Sequence, residues 1–298
     1  MTLATQDLAT TAAQTGQISR LYQKARELRL PWIPIAVLLV LVVAAVFAPL
    51  LAPHDPEQLN KRDREVPPFE TSQFLLGTDK SGKDILSRLI YGARTSVFIS
   101  LVALGTGAVV GSAIGVVSGY FGGRTDIVLM RLVDAVLGFP TVLLALIIVA
   151  IAGGAGIGNV IFAVAATVWA RFARQARGEV LSIKERDFVT LAIVAGVSAP
   201  VIMWRHIFPN VINTILIVIS LLVGQTILLE ASLSFLGVGV PPGDPAWGIM
   251  VSEGRDQIFE IWWLALFPGL AITVVVMAMN FFGDWLRDTL DPRLRRTR

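Results

Sequence analysis

Long uninterrupted apolar runs restrict what this chain can fold into more than any other feature. They lie at Pro31 to Ala52, Val97 to Val117, Leu132 to Gly153, Ile157 to Ala170, Val211 to Leu229 and Trp262 to Phe282, each bounded by charge. An α-helix needs ~20 apolar residues to cross ~30 Å of hydrocarbon, and a backbone in lipid must satisfy its own hydrogen bonds. The expectation is an all-α membrane protein with about six transmembrane helices. The fourth run is the shortest, so five spans remain open, but Trp169, Arg171 and Arg174 at its end read as an interfacial anchor followed by cytoplasmic charge. Composition agrees: 54% of the 298 residues are hydrophobic and 16% charged. Ordinary soluble domains run nearer ~45 to 50% apolar.

Several function classes fall away. The chain has no Cys, which excludes disulfides, thiolate metal sites and cysteine nucleophiles. A net charge of +3 with pI near 9.5 is small for a nucleic-acid binder, and cytoplasmic loops of membrane proteins are commonly basic, so no nucleic-acid partner is expected. Neither His54 nor His206 has a second ligand at zinc spacing, so no metal is expected. There is no Gly-x-Ser-x-Gly elbow, and Ser112 and Ser118 sit in apolar helix with no base nearby. The chain reads as non-catalytic.

Polar residues precede Pro31, and the first run exceeds a signal-peptide core of ~7 to 15 residues, so it reads as a retained span. Orientation follows from Lys and Arg near the helix ends. Arg20, Lys24, Arg26 and Arg29 precede the first span, and Arg287, Arg293, Arg295, Arg296 and Arg298 follow the last, which puts both termini in the cytoplasm. The expected organisation is a cytoplasmic tail over 1–30, a first transmembrane helix over 31–52 and an extracytoplasmic loop with an interfacial helix over 53–94. After these come a core of five spans over 95–283 and a cytoplasmic tail over 284–298.

Gly107, Gly111, Gly115 and Gly119 place a flat strip on one face of the second span, suited to close helix packing or, less simply, to a hinge. Gly77 to Asp84 resembles a phosphate-binding loop, but Asp84 stands where the magnesium-binding hydroxyl belongs and no strand precedes it. It reads as a turn leading into a helix. Asp134 and Glu230 are acids in or near apolar helix, where an unpaired charge is costly. Asp134 is expected to pair with Arg131, with a pathway role or an interhelical polar contact as the alternative, and Glu230 to make an interhelical hydrogen bond or line a pathway.

The segment 179–209 between the fourth and fifth spans is the most informative. Asp187 can N-cap a short helix from Phe188 to Ala195, closed by Gly196, and Ser198 can cap the next. Pro209 should end or kink that second helix. Phe188, Val189, Leu191, Ile193 and Val194 exceed one amphipathic face. Such a helix either lies on the membrane or docks into a partner's groove.

In this segment the chain resembles the dipeptide and oligopeptide permeases of bacterial ABC importers, specifically the C-type partner of their permease pair. The family signature is Glu-Ala-Ala, three residues, Gly, nine residues, then Ile-x-Leu-Pro. Here Thr190, Leu191 and Ala192 hold the triplet, Gly196 the glycine, His206 and Phe208 the Ile and Leu positions, and Pro209 the proline. The first two triplet residues depart. Further resemblances are Leu76-Gly-Thr-Asp, Tyr91-Gly-Ala-Arg-Thr-Ser, the run from Leu229 to Gly239, Trp247-Gly, and Asn280 to Arg293.

The resemblance implies a type I permease fold in the bacterial inner membrane, working by alternating access. It also implies a homologous B-type permease, two ATPase subunits that carry ATP and Mg, and an extracytoplasmic solute-binding protein. Docking into the ATPase would then involve Glu185, Arg186, Asp187, Phe188, Val189, Thr190, Leu191, Ala192, Gly196, Arg205 and Pro209. The departure at Thr190 removes a charge from that junction and implies a matched ATPase. The contrasting expectation, a self-contained secondary transporter, calls for internal repeats and charged broken helices, and the sequence shows no repeat.

Overall fold

The computed structural model describes residues 30–241 and 243–290, so most of the N-terminal tail and the end of the C-terminal tail, with every charge used to orient them except Arg287, lie outside the described residues. The described residues form an all-helical bundle: α1 (Trp32–Val46), α2 (Ala48–Leu51), α3 (Ile85–Phe121), α4 (Gly123–Gly138), α5 (Thr141–Ile151), α6 (Ile157–Ile183), α7 (Asp187–Val194), α8 (Ala199–Phe235), α9 (Trp247–Arg255) and α10 (Trp262–Leu290). Four of these, α3, α6, α8 and α10, are long and apolar enough to cross a membrane, and the bent pair α4 and α5 makes a fifth if it is counted as one span. The apolar α1, at 15 residues, makes about six.

The bounds differ from the hydropathy reading for identifiable reasons. The first run breaks at Phe47, because Pro49 cannot donate to the preceding turn and instead sits in the first turn of α2. No separate interfacial helix precedes the second span among the described residues. Asp84 caps a single 37-residue helix, its carboxylate accepting from the N–H groups of Leu86 at 3.3 Å and Ser87 at 3.0 Å. The aspartate that spoils a phosphate loop is thus the start signal of α3.

The third run is not one straight span. Pro140 forces Phe139 into extended backbone, at φ −88° and ψ 143°, and the chain bends by 99° between α4 and α5. The fourth runs on past Ala170 to Ile183, because nothing between them breaks a helix. Pro209 neither ends nor breaks the fifth. A π-helical stretch from Ile202 to Ile207 closes with the Phe208 N–H on the Met203 carbonyl, which lets α8 continue through the proline as one 37-residue rod.

At the centre α3 and α6 run parallel in direct backbone contact. A Cβ built on Gly111 would lie 2.1 Å from the Trp169 carbonyl oxygen, and one on Gly115 would lie 2.3 Å from that of Ala173. Gly107 and Gly119 meet Val168 and Val180 in the same register. Glycine every fourth residue keeps one face of α3 flat, and Val168, Phe172, Ala176 and Val180 of α6 fill it. The other spans pack around this pair, with α8 against α3, α6 and α10.

At the end of the bundle where α3 begins, the loop before it is locked by a buried cation. Arg88 is 1% exposed and pairs with Asp79 and with Glu253 of α9, both at 2.8 Å. Two indole donors complete the joint: Trp247 reaches the Leu89 carbonyl at 2.9 Å and Trp263 the Thr78 carbonyl at 3.2 Å.

Candidate functional site

At the opposite end of the bundle α6 runs out through Lys184, whose Nζ donates to the Gly119 carbonyl at 3.2 Å, and the chain turns into α7. Arg186, in extended backbone at φ −80° and ψ 146°, occupies the N-cap position without a side-chain hydrogen bond. Asp187 is therefore the first residue of α7 rather than its cap, and its carboxylate sits in the first turn, where the helix dipole favours it. Gly196 has φ +75°, donates to the Ile193 carbonyl at 3.0 Å, and is followed by a Val197 N–H bond to Ala192 at 3.1 Å. That pair of bonds is a Schellman closure, which a residue without Cβ makes freely. Ser198 precedes α8 without a capping side-chain bond.

Two residues hold α7 to the bundle: Val189 and Ala192 are buried, while Ile202 and Ile207 are buried in the π-helical start of α8. The rest of α7 points away. Leu191 is 66% exposed and Val194 79%, with Phe188 and Ile193 also exposed. Phe188 leans toward His206 with ring centroids 6.4 Å apart, and exposed Trp204 stacks on Phe208 at 5.0 Å. Glu185, Arg186, Thr190, Arg205 and Pro209 are exposed around this apolar surface. An outward apolar helix face of this kind is a shape for a partner's groove.

Ion pairs brace the elements beneath it. Asp126 of α4 receives both Nε and a terminal nitrogen of Arg177, at 2.5 and 2.6 Å, and the Ser118 hydroxyl at 2.6 Å. Asp134 pairs with Arg174 of α6, not with Arg131 on its own helix. The short-range expectation fails because the two helices lie side by side and α6 brings its own cation.

Glu230 is fully buried, and its Oε1 accepts from the Ser234 hydroxyl at 2.8 Å, one turn on in α8. That hydroxyl in turn receives the Val240 N–H at 3.2 Å, so the carboxyl organises the turn after α8. Two features escaped the sequence reading. Arg171 and Arg174, read as charge at the end of the fourth run, lie on the unbroken continuation of α6, and Arg171 donates to Gln225 of α8. The Arg88 cluster joins residues far apart in sequence and leaves no local pattern. Among the described residues no three His, Asp or Glu are grouped to hold a metal ion.

Comparison with known proteins matches this architecture. Residues 111–296 match the family described as binding-protein-dependent transport system inner membrane component. Residues 26–68 match the N-terminal transmembrane domain of oligopeptide transport permease C. A protein of Brucella suis named for a peptide transport system permease is 41% identical over 263 residues, 88% of each chain. The di/tripeptide transport system permease protein DppC of Pseudomonas aeruginosa is 39% identical over 262 residues, 87% of this chain and 86% of its own. The glutathione transport system permease protein GsiD of Pectobacterium atrosepticum is 39% identical over 259 residues, 86% of this chain and 85% of its own. The chain belongs to the family of binding-protein-dependent transport system inner membrane components, within the dipeptide and oligopeptide group of C-type ABC importer permeases.

Proposed function

We propose that the chain forms half of the translocation pathway of an ATP-driven importer for di- and oligopeptides, and that α7 couples it to an ATPase. A homologous B-type permease forms the other half, two ATPase subunits bind ATP and Mg, and an extracytoplasmic binding protein delivers substrate. Both termini and α7 face the cytoplasm. The peptide assignment rests on the names of the relatives.

The observation that carries the coupling is the exposed apolar face of α7, anchored by Val189 and Ala192 and offering Leu191 and Val194 outward. ATP binding draws the ATPases together, and α7 moves with the one it docks on. The turn at Lys184 to Arg186 joins α7 directly to α6, and α6 is zipped to α3 along the glycine face. Displacement of α7 therefore tilts α6 and α3 together, which is how a packed core transmits a push. The pathway opens alternately to either side of the membrane.

The test is a Leu191→Asp, Val194→Asp double variant in membranes that hold all the partner subunits. Insertion should be unchanged, because both side chains are exposed, while ATPase recovered with the permease and ATP-driven uptake should both fall. Uptake by this chain with no ATPase bound would overturn the proposal in favour of a secondary transporter.

A further inference from the structure

Arg171 lies about 21 Å along α6 from Ile157 and about 18 Å from Ile183, and Gln225 about 15 Å along α8 from Phe235, at ~1.5 Å per residue. The two helix ends meet on one side of the bundle, where the Gly156 N–H bonds the Gly239 carbonyl at 2.9 Å. α6 is about 39 Å long, so a hydrocarbon layer of ~30 Å that lies within its length takes in Arg171 and, bonded to it, Gln225. They bond to each other on an exposed face of the chain. A permanently charged guanidinium facing acyl chains at that depth is strongly disfavoured, so this face looks onto water or another polypeptide.

The charge of Arg171 is not neutralised where it stands. Its partner is the neutral amide of Gln225, whereas Arg174, one turn on, has Asp134 and Arg177 has Asp126. Among the described residues no carboxylate pairs with Arg171. The same face of α8 continues through Leu228 to Ser232, which line an open cavity of about 250 Å³ with Phe235, Leu236 and Val251. A cation with spare donors next to a mainly apolar recess suits a ligand with an anionic end and an apolar side chain.

The geometry points to a substrate-carboxylate site on the pathway wall, with Arg171 as the cationic contact, Gln225 holding its guanidinium in place and the Leu228–Phe235 recess receiving an apolar side chain of the same ligand. It deepens the importer reading and rests on it for the identity of the ligand as a peptide. It does not rest on it for the water-facing charge.

Because the chain has no native Cys, single-cysteine variants report one position cleanly. Gln225→Cys and, as an exposed loop control, Ser72→Cys are labelled in the assembled complex in nanodiscs with an anionic and a cationic methanethiosulfonate of equal size. The expected result is labelling at Gln225→Cys, with an anionic-over-cationic preference roughly tenfold above that of the control, lost when Arg171→Gln is added. No labelling at Gln225→Cys while the control reacts, or a preference that survives Arg171→Gln, overturns the site.

Uptake separates the two readings. A dipeptide with a free C-terminal carboxylate should be carried roughly tenfold more slowly by Arg171→Gln than by the unaltered complex, with Arg171→Lys intermediate. Undiminished carboxylate uptake by Arg171→Gln overturns the substrate role. An unaltered complex that carries no peptide but shows the labelling preference overturns the peptide reading and leaves an anion site in place.

Discussion

Replacing Gly111 with alanine tests the helix pair through which the proposed movement travels. The added methyl would lie 2.1 Å from the Trp169 carbonyl oxygen and 2.8 Å from the Phe172 Cβ. Contact distances near ~3.5 Å leave it about 1.4 Å too close, and the obstacle is backbone, which cannot rotate away. The helices must separate by about 1 Å, which forfeits a quarter to a half of the dispersion energy of each contact along the seam. Overpacking of this kind costs ~1 to 3 kcal/mol or more, and the better helix propensity of alanine returns ~1 kcal/mol.

With the obstacle in backbone, the cost falls at the upper end, for a net loss of about 2 kcal/mol. For a chain of this size that lowers the unfolding midpoint by about 4 to 8 °C. The assay is thermal unfolding of the purified permease in one fixed detergent, with Gly105→Ala as control, since nothing lies within 4 Å of a Cβ there. Gly105→Ala should leave the midpoint unchanged or slightly raised. Equal midpoints for the two variants would refute the claim that the α3–α6 contact is backbone-tight at Gly111.

Gly196→Val places a β-branched residue at φ +75°, at a cost of about 1 to 2 kcal/mol to the left-handed cap. Membrane insertion should be retained and recovery of the ATPase reduced, with Gly196→Asn closer to the parent; equal recovery for all three would separate the cap from docking. Arg88→Met leaves Asp79 buried without its partner and should destabilise the chain by about 3 to 5 kcal/mol, measured by thermal unfolding. Adding Asp79→Asn, which removes the unpaired charge but keeps an oxygen for the Ser81 and Lys83 N–H groups, should recover part of that loss. Asp126→Asn replaces a charged bidentate contact with a neutral one and should cost about 1 to 2 kcal/mol, with little further loss on adding Arg177→Gln in a double-mutant cycle.

Hydropathy located the spans because lipid demands unbroken apolar length, and the short helix at 187–194 was legible because Gly196 is a strong stop signal. The glycine spacing marked a flat face but could not say that α6 fills it. Bounds failed where direction, not solvation, decided them. Pro140 bends the third run without changing its hydropathy, and a π-helical stretch lets α8 pass through Pro209. Charge at Arg171 and Arg174 gave no sign that the helix runs on unbroken to Ile183. Pairings such as Arg174 with Asp134, or Arg88 with Glu253, depend on helices meeting in space and have no local sequence signal.

In the proposed mechanism α7 of this permease sits on an ATPase. A photoreactive benzoylphenylalanine placed at Leu191, which is 66% exposed, reports what covers that face in the assembled importer. Illumination should yield an adduct of this chain with the ATPase subunit, whose yield changes when ATP is added. Adducts only with lipid or with this chain itself, in membranes that import peptide, would contradict the account.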